Sequence, residues 1–197
     1  MIQLVLATHN SHKVEELRKI LGPRLDGIDL IGYDGPEPVE DGDTFEANAL
    51  IKARAAAKHT GLAAIADDSG ISVDELGGAP GIHSARYAGT RNDHDNLALL
   101  LENLGDAENR AAQFSCAAAL VVPAADGSVF EHVELGIWPG TVKREAAGGG
   151  GFGYDPIFQP SGMTISAAEL RADQKNSISH RALAFGQIMP IVRERLL

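Results

Sequence analysis

Three hydrophobic rhythms alternate along the chain. The run IQLVLA (residues 2–7) is short and apolar and ends at the polar stretch THNSHK, after which Val14, Leu17 and Leu21 recur three and four residues apart. That pattern predicts a strand, a loop and an amphipathic helix. Gly22 and Pro23 stop the helix, IDLIGY (28–33) predicts a second strand, and the proline- and acid-rich DGPEPVEDGD a loop. In residues 43–61, Asp43 and Glu46 stand at capping-box spacing, alanines follow, and Gly61 closes the segment, which predicts a helix. LAAIADD (62–68) predicts a strand with two aspartates at its end, from which Ser69 and Gly70 turn the chain away into a glycine-rich loop.

Beyond residue 89 the rhythm changes again. Residues 92–106 predict a capped helix with Leu97, Leu100, Leu101 and Leu104 on one side. Two long strands are predicted at 111–123 and 128–138, joined by AADG, whose Asp126 and Gly127 suit a tight hairpin. The glycine-rich segment 143–160 leads to a short capped helix at SAAEL and a final helix from about Ser179 to Arg195, which Pro190 should kink or break. Strand–helix alternation followed by a hairpin predicts an α/β fold with a mixed sheet.

With 197 residues, 44% of them hydrophobic, the chain can bury one substantial core, either as one unit or as two lobes sharing a sheet. A lone cysteine, Cys116, excludes an internal disulfide framework and suits a reducing compartment. The apolar start is too short for a signal peptide and no run of 18 apolar residues occurs, so a cytoplasmic protein without a membrane partner is expected. A net charge of −10 argues against broad nucleic-acid binding. A polyanion would need basic residues focused at one place, a bridging metal ion, or both.

Four segments carry candidate chemistry. Asp67 and Asp68 follow a buried strand, and because adjacent strand residues face opposite ways, only one of them need enter a site, where it could bind Mg²⁺ or take a proton from water. An aspartate turn is the plainer alternative. In THNSHK, donors on Thr8, Asn10 and Ser11, the free amides of a helix start and Lys13 make a phosphate cradle without a P-loop pattern. His9 and His12 read as loop histidines, not as a zinc site. In GGGGFGYDP (148–156) the glycines, Gly153 among them, let backbone approach a ligand, Phe152 and Tyr154 offer faces for a base, and Asp155 could bond a sugar or base edge. In KNSISHR, Lys175, His180 and Arg181 could meet phosphate or a purine carbonyl.

Together these pieces, with TFEANALIKARAAA, IADDSGISVDELGGAPGIHSARYAG, WPG, GGFGYDPIF and KNSISHRALAF in order along nearly the whole chain, resemble the inosine triphosphate pyrophosphatase family, whose bacterial members are XTP/dITP diphosphatases. The resemblance implies a single domain over 1–197 with an elongated mixed sheet flanked by helices, two lobes and a central cleft, usually as a homodimer. It implies Mg²⁺-assisted hydrolysis of purine nucleoside triphosphates carrying hypoxanthine or xanthine (ITP, dITP, XTP) to monophosphate and pyrophosphate. By position, Asp68 would be the proton acceptor and a metal ligand, and Glu40 a second acidic contact to the metal. The substrate would lie along Thr8, His9, Asn10, Ser11, His12 and Lys13, with Lys52 and Ser69 at its phosphates. Phe152 would stack on the base, Gly153, Tyr154 and Asp155 would complete that wall, and Lys175, His180 and Arg181 would read the purine edge. The family often has smaller residues where His9 and His12 stand. A nucleotide sensor without catalysis and a Maf-like pyrophosphatase for other nucleotides are the alternatives, and no Nudix-type pattern is present.

Overall fold

The computed structural model describes every residue except Asn10, and of Ser11 and His12 only the backbone. The expectations for those three side chains therefore lie outside the described residues. Strands β1 (Ile2–Leu6), β2 (Ile28–Gly32), β3 (Ala64–Val73), β4 (Ala111–Pro123), β5 (Val129–Val142) and β6 (Phe158–Pro160) form one sheet in the order β2-β1-β3-β4-β5-β6. β1 pairs in parallel with both β2 and β3, whereas β5 and β6 are antiparallel, so the sheet is mixed. Helices α1 (Ser11–Leu21), α2 (Phe45–Thr60), α3 (Asp93–Leu104), α4 (Ala172–Ile178) and α5 (His180–Leu196) flank it.

By compactness the chain divides into two units. The first holds Met1–Asp68, Cys116–Gly136 and Arg181–Leu197; the second holds Ser69–Ser115 and Ile137–His180. In the first unit two cores follow from strand alternation. Leu4, Leu6, Ile65, Cys116, Ala118 and Leu120 pack with Val14, Leu17 and Leu21 of α1 and Phe185, Ile188 and Val192 of α5. The intervening residues Val5, Ala64, Ala66, Ala117, Ala119 and Val121 pack with Ala49, Ala53, Ala56 and Ala57 of α2. Alanine on both sides lets the α2 backbone come close to the sheet, which explains the alanine runs. The core of the second unit gathers Ile71, Val73, Leu100, Phe114, Trp138, Tyr154 and Phe158.

Several elements differ from the sequence-based expectation. Thr44 caps α2, its hydroxyl accepting from Ala47 N at 3.1 Å, one residue beyond the expected Asp43, and Gly61 closes the helix in the left-handed region. Residues 69 and 70 do not turn the chain: β3 runs on to Val73, and Asp67 and Asp68 lie mid-strand. A Cβ at Gly70 would collide with Gly81 O and Ser84 Oγ, so this glycine serves close backbone approach within a strand. SAAEL is a single 3-10 turn, Ala167–Glu169, closed by a Ser166–Glu169 capping box, and β6 and α4 were not anticipated. α5 continues without a break through Pro190. Its packing face of Phe185, Ile188, Met189 and Val192 is fully buried, and that packing outweighs the lost backbone donor.

Candidate active site

The adjacent aspartates of β3 are divided by the pleat. Asp68 shares its side of the strand with Ala64 and Ala66 and so meets α2; Asp67 shares the side of Ile65 and meets α1 and α5. Asp68 Oδ1 accepts from Lys52 Nζ at 3.2 Å, and the same ammonium lies 3.1 Å from Glu40 Oε2 on the loop before α2. Lys52 stands one turn from Ala49 and Ala56 on α2, hence its direction toward the sheet. Asp68 Oδ2 is buried without a hydrogen-bond partner among the described residues. Burial pushes the Asp68 carboxyl above the usual aspartate range; Lys52 pulls the other way without cancelling it, and Glu40 and Asp67 add to the rise. For Lys52, burial favours the neutral amine, but Asp68, Asp67 and Glu40 outweigh it and hold the ammonium charged.

Two carboxylates converging on one cation, with one buried oxygen left over, form a donor set suited to a hard divalent metal. Among the described residues no group of three histidine, cysteine, aspartate or glutamate side chains assembles, so such an ion would complete its shell with water and ligand oxygens. The residues present thus fit a divalent metal.

On the other side, Asp67 Oδ2 accepts from Arg181 Nε at 3.2 Å and Nη2 at 3.0 Å, and Arg181 Nη1 reaches Glu16 of α1 at 3.4 Å. Burial works against the Asp67 carboxylate, yet Lys13, Arg181 and Lys52 together hold its pKa far below the ordinary value. Lys13, half-buried in the first full turn of α1, therefore directs its charge into the same neighbourhood. Thr8 leaves β1 in a tight turn, its N–H donating to Leu6 O at 2.7 Å. His9 Nε2 donates to Gly35 O at 2.6 Å and its Nδ1 lies 3.4 Å from Glu37, tying the end of β1 to the acidic loop that carries Glu40.

The second unit holds the remaining candidates. Phe152 is half exposed, whereas Tyr154 is buried in the core with its hydroxyl donating to Ser84 O at 2.7 Å. Asp155 is buried; one of its carboxylate oxygens accepts from Phe152 N at 2.9 Å and from Lys175 Nζ. Lys175 Nζ also stands 4.6 Å from the centroid of the Phe152 ring, a cation–π arrangement. Gly153, at φ 59°, donates its N–H to Asp93 at the start of α3, 2.8 Å away. His180 stacks on Phe114 with centroids 4.7 Å apart and planes 9° apart, and more distantly on Trp138. Ser69 lies half-buried in β3, the residue after Asp68.

Sequence reasoning left Asp67 without a role, passed over Glu16, Asp93 and Phe114, and took Trp138 only as part of the WPG piece. The strand alternation carried the information on Asp67. The other four matter through contacts 42 to 165 residues away in sequence.

The model of the Ham1 family matches residues 4–191. The chain belongs to the Ham1 family. Ham1 relatives align over essentially the full length: a protein of Leifsonia xyli subsp. xyli named dITP/XTP pyrophosphatase is 56% identical, covering 98% of this chain and 96% of its own. Another of that name from Streptomyces coelicolor is 52% identical over the whole of both chains. Among solved structures, a HAM1 protein from Coxiella burnetii superposes with a TM-score of 0.88 at 41% identity, over 98% of this chain and 100% of the other. The Ham1 match thus bears out both the resemblance and the mixed-sheet α/β fold.

Proposed function

We propose that this Ham1 chain is a nucleoside triphosphate diphosphatase that hydrolyses non-standard purine nucleotides, ITP, dITP and XTP, to the monophosphate and pyrophosphate. The buried Oδ2 of Asp68, unpartnered among the described residues, beside Lys52 and Glu40 carries the reading: it is a carboxylate oxygen held ready for a metal or a proton. Glu40 and Asp68 would hold Mg²⁺, which when bound offsets phosphate charge and makes a water easier to deprotonate. Asp68, fixed through Oδ1 by Lys52, accepts a proton from the attacking water. Attack at the α-phosphorus puts charge on the bridging oxygen of the leaving pyrophosphate. Lys13 and Lys52 stabilise that charge, with Thr8, Ser69 and the backbone amides at the start of α1 as hydrogen-bond donors to the phosphates.

In the second unit, Phe152 stacks on the base, while Lys175 and Asp155 brace that ring. His180 and Arg181 donate to the 6-carbonyl of hypoxanthine or xanthine, where the 6-amino group of adenine would set donor against donor. A mismatch of that kind costs ~1–3 kcal/mol, enough for tenfold discrimination or more. The family's names for its relatives support this substrate class. The chain works as one two-lobed domain in the cytoplasm, as a homodimer; no helix among the described residues is long and apolar enough to cross a membrane.

Pyrophosphate release from ITP, XTP, dITP, ATP and GTP with Mg²⁺, measured side by side, tests the proposal. Release confined to the first three is expected. Equal release from all five would remove the base-reading argument, and no release from any would leave a nucleotide-binding protein. Asp68→Asn should lower kcat by about 10²–10⁴ while nucleotide affinity persists.

A further inference from the structure

Asp67 stands beside the proposed catalytic aspartate, yet it faces the opposite side of β3, where its carboxylate bonds Arg181. Its Oδ2 takes two N–H groups from the Nε–Nη2 edge of Arg181 at 3.2 and 3.0 Å, while Nη1 lies at 3.4–3.5 Å from both oxygens of Glu16. The Asp67 and Arg181 side chains are only 10% and 8% exposed; Glu16 is 30% exposed. A guanidinium is a planar fork, so a partner on one edge fixes both its place and the plane in which its remaining N–H groups point. The short, buried contact to Asp67 supplies that constraint, and the longer contact to half-exposed Glu16 is the weaker of the two.

We infer that Asp67 is a positioning residue for substrate selection: it grips the Nε–Nη2 edge of Arg181 and thereby sets the direction in which the guanidinium offers its other donors to a 6-oxopurine. The inference rests on the reading of Arg181 as a contact to the base. It assigns separate work to two neighbouring aspartates, with Asp68 at the reacting water and Asp67 acting on selectivity through an arginine 114 residues away.

The test is a double-mutant cycle on the full chain with Asp67→Asn, Arg181→Gln and the pair, reading kcat and KM for dITP and dATP with Mg²⁺. Arg181→Gln should lower the dITP:dATP ratio of kcat/KM about tenfold or more, Asp67→Asn should lower it by a similar factor, and the pair should be no worse than Arg181→Gln alone. A merely structural role would lower turnover of both substrates together and leave the ratio unchanged. Multiplying effects, or an unchanged ratio in Asp67→Asn, would overturn the inference. An unchanged ratio in Arg181→Gln would instead defeat the base-reading role of Arg181 on which it rests. If Asp67→Asn does not fold, Asp67→Glu replaces it in the cycle: a shifted ratio that disappears in the Arg181→Gln background supports the grip, and an unshifted ratio overturns it.

Discussion

At the scale of single residues, Asp68 and its neighbour ammonium set the sharpest expectations. Because burial raises the Asp68 pKa, its ionised form is penalised in the folded protein; that penalty is present above the folded pKa and absent below the unfolded one. Asp68→Asn should therefore raise the melting temperature of the metal-free protein at neutral pH by a few degrees, about 2–4 °C per kcal/mol regained, while lowering kcat. Scanning fluorimetry without divalent ions reads this directly, and a fall in melting temperature would contradict it. Lys52→Met does the opposite, leaving Asp68 and Glu40 uncompensated, and should cost about 1.5–3 kcal/mol by urea unfolding, part of it restored by added Mg²⁺. The aromatics of the glycine-rich segment should separate cleanly. Phe152→Ala is expected to raise KM about tenfold with little change in stability, because the ring is half exposed and its contribution is to a stacked base. Tyr154→Ala, which empties part of a core, should cost about 3–5 kcal/mol.

At the scale of elements, what the sequence revealed depended on whether the cause was local. β1, α1, β2, α2, α3 and the β4–β5 hairpin follow from periodicity, caps and the Asp126–Gly127 turn, whose Asp126 Oδ1 does accept from Ser128 N at 2.9 Å. β3 was cut short because Ser-Gly is ordinarily a turn pair, whereas here Gly70 is required by a backbone passing against it. β6 is three residues long and exists by pairing Val142 with Phe158 and Gly140 with Pro160, a nonlocal cause without a sequence rhythm. Pro190 misled for the converse reason, since the buried face of α5 holds the helix together around it. In the candidate site, residue types pointed to Asp68 and Phe152 and the family resemblance to Lys52 and Glu40, but neither told that Tyr154 packs in the core or that Asp155 bonds Lys175. The glycine-rich segment offers an element-scale test. Gly151 sits at φ 69°, and a Cβ there would strike the Asp155 carboxylate. Gly151→Ala should thus loosen Lys175 and Phe152 and raise KM for dITP several-fold, with a smaller effect on kcat, in steady-state kinetics.

At the scale of the whole molecule, charge and chain path matter most. A protein of net charge −10 repels a polyphosphate at long range, so kcat/KM should increase modestly as salt is raised at saturating Mg²⁺; a steep decrease would point to a dominant positive field. Cys116 is fully buried and its thiol is pushed well above its usual pKa by that burial, so it should resist thiol reagents at pH 8 until the protein is unfolded. The chain passes between the two compact units four times, at Asp68/Ser69, Ser115/Cys116, Gly136/Ile137 and His180/Arg181. Two of these passages fall within the site segments themselves. On the ribosome, the core around β1 and α1 must wait for Phe185, Ile188 and Val192, which emerge long after β1 and α1. A nascent or prematurely terminated chain would possess the acidic loop, Lys52 and both aspartates, yet lack the helix that seals their support. Nucleotide hydrolysis is thereby tied to the synthesis of α5, and products that stop short of it are expected to be inert and open to proteolysis.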